Sequence, residues 1–156
     1  GRIGLEVARK AEAFDMELLG YDIQKRERFR DLGGKYVDLE KLLRESDYVT
    51  LHVPLNSGTR HMIDREEIDL MKDSAVLINT ARGAVVNEEV LIGALQEGKI
   101  AGACLDNYEE DPVEDGRLVS LQNDVLTPHV GASTEEAQRG VSLLAAERVK
   151  EVLKQS

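Results

Sequence analysis

The sequence begins GRIGLEVARKAEAFDMELLGYD (residues 1–22), and this stretch decides the fold. Apolar residues recur at helical spacing from Ile3 to Phe14, so the chain starts in or just before a helix. Residues 16–21 then predict a strand, which ends at Asp22. A helix followed at once by a strand indicates an alternating α/β fold.

The spacing of these residues also matches a dinucleotide-binding fingerprint. Such a fingerprint has glycines where a helix begins and an acidic residue about 20 positions further on, and Asp22 lies 18 positions after Gly4. The helix N-terminus would supply N–H groups to phosphates, and Gly1 would let the backbone approach them. We therefore predict that Gly1, Arg2, Ile3 and Gly4 bind the pyrophosphate and that Asp22 binds the ribose hydroxyls. The alternative is that Asp22 is a solvated turn residue.

Asp22 also bears on the choice of cofactor. A carboxylate accepts hydrogen bonds from both ribose hydroxyls and repels a 2′-phosphate, which favours NAD over NADP. Lys25 and Arg26 follow Asp22 closely in the sequence, and their positive charges leave NADP possible as the cofactor. The fingerprint lacks its first glycine and the strand that precedes it.

The rest of the chain continues to alternate between helix-like and strand-like segments. Further strands are predicted at residues 48–53, 75–79, 100–105 and 125–127, and helices at 39–44, from 64, at 87–96 and from 133. The fold class is α/β, a doubly wound parallel sheet of the Rossmann type with helices on both faces, lacking its first strand. That strand is central in the order 3-2-1-4-5-6, so we expect two strand edges to face each other across a gap.

Local patterns predict where several helices begin and end. Asp64 to Glu67 and Ser133 to Glu136 are capping-box patterns, and Gly98 ends the helix at 87–96. The last helix has an apolar stripe made of Val141, Leu144, Ala145, Val149 and Val152. Two long irregular stretches, 54–63 and 106–123, follow strands at their carboxyl ends, where open α/β sheets bind ligands.

Composition excludes some classes of partner. The 156 residues suffice for one domain, and the net charge of −10 argues against nucleic acid or an anionic membrane as a partner. No apolar run is long enough to span a bilayer and no signal peptide is visible, so we expect a cytoplasmic protein.

The one cysteine, Cys104, lies in an apolar run and is predicted to pack in the core. We expect no metal site.

Three further segments carry a family resemblance. They are LHVPL at 51–55 with Thr59 and Arg60, INTARG at 78–83, and TPHVG at 127–131. In order and spacing they resemble the D-isomer-specific 2-hydroxyacid dehydrogenases, which include phosphoglycerate, glyoxylate/hydroxypyruvate and D-lactate dehydrogenases. The resemblance covers essentially the whole chain. It implies that residues 1–156 are the NAD-binding domain, in part, of a two-domain enzyme whose substrate domain is absent from this chain.

The resemblance also implies roles for single residues. Arg82 matches the arginine that binds the substrate carboxylate and polarises its carbonyl, for which the guanidinium fork is suited. His129 matches the general acid/base, since an imidazole titrates near neutral pH. Pro54, Thr80 and Asp106 match cofactor-binding positions, Asp106 near the nicotinamide. The activity implied is NAD-dependent interconversion of a D-2-hydroxy acid and its 2-oxo acid, by a homodimer formed through this domain.

One position departs from the family. Members usually have a Glu before a proline that pairs with the catalytic histidine, whereas here Asp111 precedes Pro112. Asp111 is one methylene shorter, and Glu110 takes its place if the loop is shifted by one residue. Either carboxylate would raise the pKa of the histidine by favouring the imidazolium. The alternative is that this run is a solvated acidic loop.

The two remaining histidines lack a family match. His52 is predicted to be packed or to face a loop, and His61 to be solvated. Two other functions stay open: a non-catalytic NAD-binding or sensing module, and an inactive remnant. Retention of Arg82 and His129 argues against a sensor, and Asp111 argues mildly for one. We expect the chain alone to be inactive, because it offers only one wall of a catalytic cleft.

Overall fold

The computed structural model describes residues 1–110 and 116–155. The helices are α1 Arg2–Glu12, α2 Glu27–Asp31, α3 Leu39–Glu45, α4 Arg65–Leu70, α5 Glu88–Glu97, α6 Gly116–Val119 and α7 Glu135–Gln155, with a 3₁₀ turn at Gly83–Val85. The strands are β1 Leu19–Gly20, β2 Lys35–Tyr36, β3 Tyr48–Leu51, β4 Val76–Asn79, β5 Gly102–Leu105 and β6 Asp124–Leu126. The predicted alternation of helix and strand is confirmed, with strand ends moved by at most three residues, whereas α2, β2 and α6 were not predicted.

The strands form two parallel sheets. β1 pairs with β2, and the other four lie in the order β3-β4-β5-β6. Within residues 1–110 and 116–155, β1 and β3 belong to separate sheets and do not pair with each other, which agrees with the gap predicted between two strand edges. The strand predicted at 16–21 is only two residues long. Because a strand is held by ladder bonds to its neighbours, β1, whose partner β2 is itself only two residues long, stays short.

One face of the four-stranded sheet carries the core. Leu51, Leu77 and Leu105 point into it from β3, β4 and β5, and all three are buried. Against them pack the buried side chains of the covering helices, Leu43, Ile68, Leu91, Ile92, Leu95 and Leu118. The spacing of these residues follows the period of each element, so the binary pattern alone directs them inward.

The opposite face of this sheet is more open. The strand register places Thr50, Ile78, Cys104 and Val125 in one row across it. Val125 is 60% exposed, and Tyr48 on the same face is 57% exposed. Cys104 is half-buried on this open face rather than fully enclosed in the core.

Two of the three predicted helix ends are confirmed. Asp64 and Glu67 form the capping box of α4, and Gly98 ends α5 in the left-handed conformation (φ 68°) that glycine adopts without strain. The box predicted at Ser133 is wrong by one residue. Thr134 caps α7 instead, its Oγ1 accepting from the Ala137 N–H at 3.1 Å. Serine is on average the better N-cap, so intrinsic preference favoured the wrong one of these two adjacent residues.

Helix α7 has the predicted apolar stripe, but the side chains of the stripe are exposed rather than buried. Val141, Leu144, Val149 and Val152 are each more than half exposed. Of the helices in the part of the chain that the structure describes, none combines the length and the apolar character that crossing a bilayer requires.

Candidate active site

The predicted site residues gather at one edge of the sheets. Strands of a parallel sheet all end at the same edge, so the segments that follow them are neighbours. Pro54 follows β3, Thr80 and Arg82 follow β4, and Asp106 follows β5. His129 follows β6 and Asp22 follows β1. The candidate site residues therefore lie in the loops that follow five of the strands, at the carboxyl edges of the two sheets.

The N-terminus of α1 lies beside Asp22. Gly1 is the N-cap and has no side-chain capping bond, and the position of a Cβ on Gly1 has no atom within 4 Å. The Gly1 amino nitrogen is 3.4 Å from Asp22 Oδ2, while Asp22 Oδ1 accepts from the Gln24 N–H at 2.9 Å.

This arrangement fits a dinucleotide. The first N–H groups of a helix suit a pyrophosphate, and a carboxylate beside them suits ribose hydroxyls. Arg2 and Ile3, the first helical residues, are both exposed. Gly4 packs closely, since a Cβ there would lie 3.4 Å from Cδ2 of His52.

His52 occupies the end of β3 as a packed residue, as predicted. Its Nε2 lies 3.0 Å from Thr50 Oγ1, and its ring is half-buried against α1. Burial lowers the pKa of His52, so the neutral ring is favoured.

The loop after β3 is braced by its own residues. Thr59 Oγ1 donates to the Pro54 carbonyl at 2.6 Å and accepts from the Asn56 N–H at 2.9 Å. Thr59 belongs to the segment that carried the family resemblance, and its hydroxyl fixes the backbone of Pro54. The contact is local and independent of any ligand.

A buried amide shapes the Arg82 turn, by which we mean residues 80–85. Asn79, at the end of β4, is 1% exposed. Its Oδ1 accepts from the Ala81 N–H at 3.0 Å, and its Nδ2 donates to the Arg82 carbonyl at 2.9 Å. Thr80 and Arg82 are exposed, and Arg82 Nη1 donates to the Ala81 carbonyl at 2.6 Å. Sequence reasoning missed Asn79, although a polar residue closing an apolar strand at this edge was a visible signal.

Asp106 holds the His129 loop, residues 127–131. Its Oδ1 accepts from Thr127 Oγ1 at 2.6 Å and from the Val130 N–H at 2.8 Å, and its Oδ2 accepts from the Gly131 N–H at 3.0 Å. His129 itself is exposed and has φ 53°, a left-handed conformation that few residues other than glycine adopt. The bonds on either side of His129 therefore fix a strained backbone.

The charge state of Asp106 reflects these bonds. Burial raises its pKa, but the donors on Thr127, Val130 and Gly131, and the nearby His129, together lower it below the ordinary value. Asp106 is thus an ionised acceptor for the His129 loop. Its predicted contact with the nicotinamide stays a prediction.

His61 was predicted to be solvated, but it is only partly exposed and is paired with a carboxylate. Its Nε2 lies 2.5 Å from Oε1 of Glu109, in the loop after β5. The two residues are 48 positions apart, so no local pattern in the sequence revealed the pair. Glu110 is exposed, and Asp111 lies outside the described residues.

Comparison with known proteins places this geometry in a family. Residues 1–131 match the family described as D-isomer specific 2-hydroxyacid dehydrogenase, NAD binding domain. D-3-phosphoglycerate dehydrogenase of Methanocaldococcus jannaschii is 47% identical over 156 residues, which cover 99% of this chain and 30% of that protein. Glyoxylate reductase of Thermococcus litoralis is 49% identical over 150 residues, 96% of this chain and 45% of that protein.

Solved structures agree with the sequence comparison. D-lactate dehydrogenase of Aquifex aeolicus, in complex with NAD and lactic acid, matches with a TM-score of 0.90 and 37% identity, over 99% of this chain and 51% of that one. The chain therefore spans about half, or less, of the length of the proteins it matches. Family, fold and cofactor are as the sequence predicted. The chain belongs to the D-isomer specific 2-hydroxyacid dehydrogenase family, in which it is an NAD-binding domain.

Proposed function

We propose that this chain is the cofactor half of an enzyme that interconverts a D-2-hydroxy acid and its 2-oxo acid. One observation carries the proposal. Arg82 and His129 emerge at the same sheet edge, and each segment is fixed by a buried side chain, Asn79 or Asp106. A binding module needs neither of these two exposed groups, whereas a carbonyl reduction needs both.

NAD binds at the N-terminus of α1 in this proposal. Gly1, Arg2, Ile3 and Gly4 offer the pyrophosphate their backbone, and Asp22 accepts from the ribose hydroxyls. When bound, the reduced form NADH would supply the hydride for reduction of the oxo acid, and the oxidised form NAD⁺ would accept the hydride in the reverse direction. Pro54, Thr80 and Asp106 lie along the same edge, where the remainder of the cofactor would run.

Arg82 acts on the substrate carboxylate. Its guanidinium presents two parallel donors, which match the two oxygens of a carboxylate, and a positive charge next to the carbonyl makes the carbonyl carbon more electrophilic. The Asn79 bonds hold the backbone from which the side chain extends. We therefore assign Arg82 to both substrate binding and polarisation.

His129 transfers the proton. Reduction leaves charge on the carbonyl oxygen, and a protonated imidazole donates to it, while in oxidation the neutral ring takes the proton from the hydroxyl. The sequence proposes Asp111, or Glu110, as the carboxylate that favours the charged ring. The fixed His129 loop keeps the ring at one place through both directions of the reaction.

The rest of the enzyme is part of the same proposal. We infer that a substrate domain supplies the second wall of the cleft, which agrees with relatives at least twice as long as this chain. We also propose a cytoplasmic homodimer formed through this domain, because the open sheet face and the exposed stripe of α7 are apolar surfaces suited to burial.

A complete protein that contains this chain tests the function. With NADH and a panel of 2-oxo acids, we expect steady turnover to the D enantiomer of the hydroxy acid. Arg82→Lys should raise the KM for the oxo acid by about 10- to 100-fold, the usual worth of a charge-assisted hydrogen bond. Arg9→Lys is the matched control, since Arg9 pairs on the surface with Glu6. NADH binding without turnover of any acid would favour a non-catalytic module instead.

A further inference from the structure

A histidine–carboxylate pair joins two loops that border the site. His61 lies in the loop after β3, and Glu109 lies in the loop after β5. Their side chains are 31% and 28% exposed, and the 2.5 Å contact joins Nε2 to Oε1. Because a carboxylate only accepts, His61 Nε2 carries the hydrogen of this bond. Since β4 lies between β3 and β5, the pair spans the end of β4, from which the Arg82 turn departs.

Both loops also touch the Arg82 turn through their backbones. The His61 N–H donates to the Ala84 carbonyl at 2.8 Å. From the other side, the Tyr108 carbonyl and the Glu109 nitrogen pack on Gly83, where a Cβ would lie 1.8 and 2.5 Å from them. The residues directly after Arg82 are therefore enclosed by the two loops whose side chains meet in the pair.

Each member of the pair is fixed independently of the other. His61 has φ 49°, which few residues other than glycine adopt and which persists only where the surroundings impose it. The Glu109 N–H donates to Glu88 Oε2, at the start of α5, at 3.1 Å. The bond between the two side chains thus connects two anchored backbones and closes a ring around the Arg82 turn.

We infer that His61 and Glu109 are positioning residues that hold Arg82 where it binds the substrate carboxylate. The inference rests on the proposed function of Arg82. Neither residue touches the substrate. They act by preventing the Arg82 turn from shifting, and a shift of about 1 Å in a positioning element can cost up to 100-fold in rate.

The test uses His61→Asn in the complete enzyme. Asparagine tolerates a left-handed backbone, so the variant keeps the local fold while its shorter side chain cannot reach Glu109. We expect the KM for a 2-oxo acid to rise about 10-fold, with the dissociation constant of NADH changed less than twofold. The preference for the oxo acid over its methyl ester, measured as a ratio of kcat/KM, should fall by the same factor, because only the acid uses the Arg82 fork.

Further variants separate positioning from general stability. Glu109→Ala should match His61→Asn, and the double variant should be no worse than either, because one bond is lost in all three. Glu109→Gln should retain most of the preference, since its amide oxygen still accepts. Asp47→Ala is the control. It breaks the 2.8 Å surface pair between Asp47 and Lys72, which precede β3 and β4 at the opposite edge, and should leave the preference unchanged.

A second readout is independent of catalysis. The Val85 N–H donates to the Arg82 carbonyl at 3.2 Å, and the Val86 N–H donates to the Gly83 carbonyl at 3.0 Å. Hydrogen exchange at these amides should accelerate about 10-fold or more in His61→Asn. If the unmutated enzyme turns over no 2-oxo acid but exchange accelerates, the proposed function fails and the bracing of the turn stands. Unchanged exchange, or an unchanged preference in an active enzyme, overturns the inference.

Discussion

Gly83→Ala is the substitution whose effect the structure defines most closely. A Cβ at this position would lie 1.8 Å from the Tyr108 oxygen and 1.9 Å from its carbonyl carbon. Ordinary contacts of a Cβ begin at 3.4 Å, so the two backbones must separate by about 1.6 Å. The obstacle is backbone rather than the end of a flexible side chain, and rotamer changes cannot relieve it.

The cost follows from that displacement. Overpacking of a well-packed site usually costs about 1–3 kcal/mol, and we expect the upper end because the separation also strains the bonds that Glu109 makes to Glu88 and His61. For a domain of this size a loss of about 3 kcal/mol lowers Tm by roughly 6–12 °C. Activity should fall further than the loss of stability predicts, because Gly83 lies inside the Arg82 turn, directly after Arg82.

Thermal unfolding, followed by circular dichroism, measures the loss of stability. Gly93→Ala is the control. Gly93 lies inside α5, and a Cβ there has no atom within 4 Å outside the helix. We expect Gly93→Ala to stabilise the protein by about 0.5–1 kcal/mol, the usual gain for alanine in a helix interior. The reasoning is refuted if Gly83→Ala unfolds within 1 °C of the unmutated protein, or if both variants lose stability equally.

Three other predictions concern single carboxylates and the proposed acid/base. Asp22→Ala should narrow the gap between NAD and NADP affinity measured by calorimetry, and equal affinities in the unmutated protein would contradict a ribose contact. His129→Asn, which tolerates the left-handed backbone, should lower turnover by about 100-fold while NADH still binds; full turnover would exclude His129 as the acid/base. Because the pKa of Asp106 is lowered, its contribution to stability is present above pH 3.8 and is lost as pH falls through the lower, folded-state value. The free energy of unfolding, measured from pH 7 to pH 3, should show this loss. Asp106→Asn should remove the part of its pH dependence that Asp106 causes.

The fold was accessible from the sequence because its signals are local. Apolar runs such as residues 75–79 and 100–105 identify strands wherever they pack, and Gly98 stops a helix through its own backbone. Features that depend on contacts with another segment of the chain were predicted less accurately. The strand at 16–21 shortened to Leu19–Gly20 because strand length depends on pairing, which no single run of residues encodes.

The candidate site likewise combines residues that local sequence patterns reveal with contacts between segments that are distant in the sequence. Arg82 and His129 could be proposed from the sequence because the segments around them are distinctive, and the order of parallel strands brings their loops to one edge. The supports of these residues were not found. His61 and Glu109 meet across 48 positions, and Asp106 reaches forward 24 positions to the Val130 N–H, so these bonds exist only after the loops are assembled.

The open face of the four-stranded sheet contains a native reporter. Cys104, the one cysteine of the chain, stands in the exposed row between Ile78 and Val125. Burial, reinforced by the charge of Asp124, raises the pKa of its thiol, so alkylation is slow near neutral pH and accelerates as the solution becomes alkaline. Protection of this thiol from a labelling reagent then measures how completely another domain or protomer covers the face. Mass spectrometry of the unmutated protein after labelling can follow how far this face is covered, with no need to introduce another cysteine.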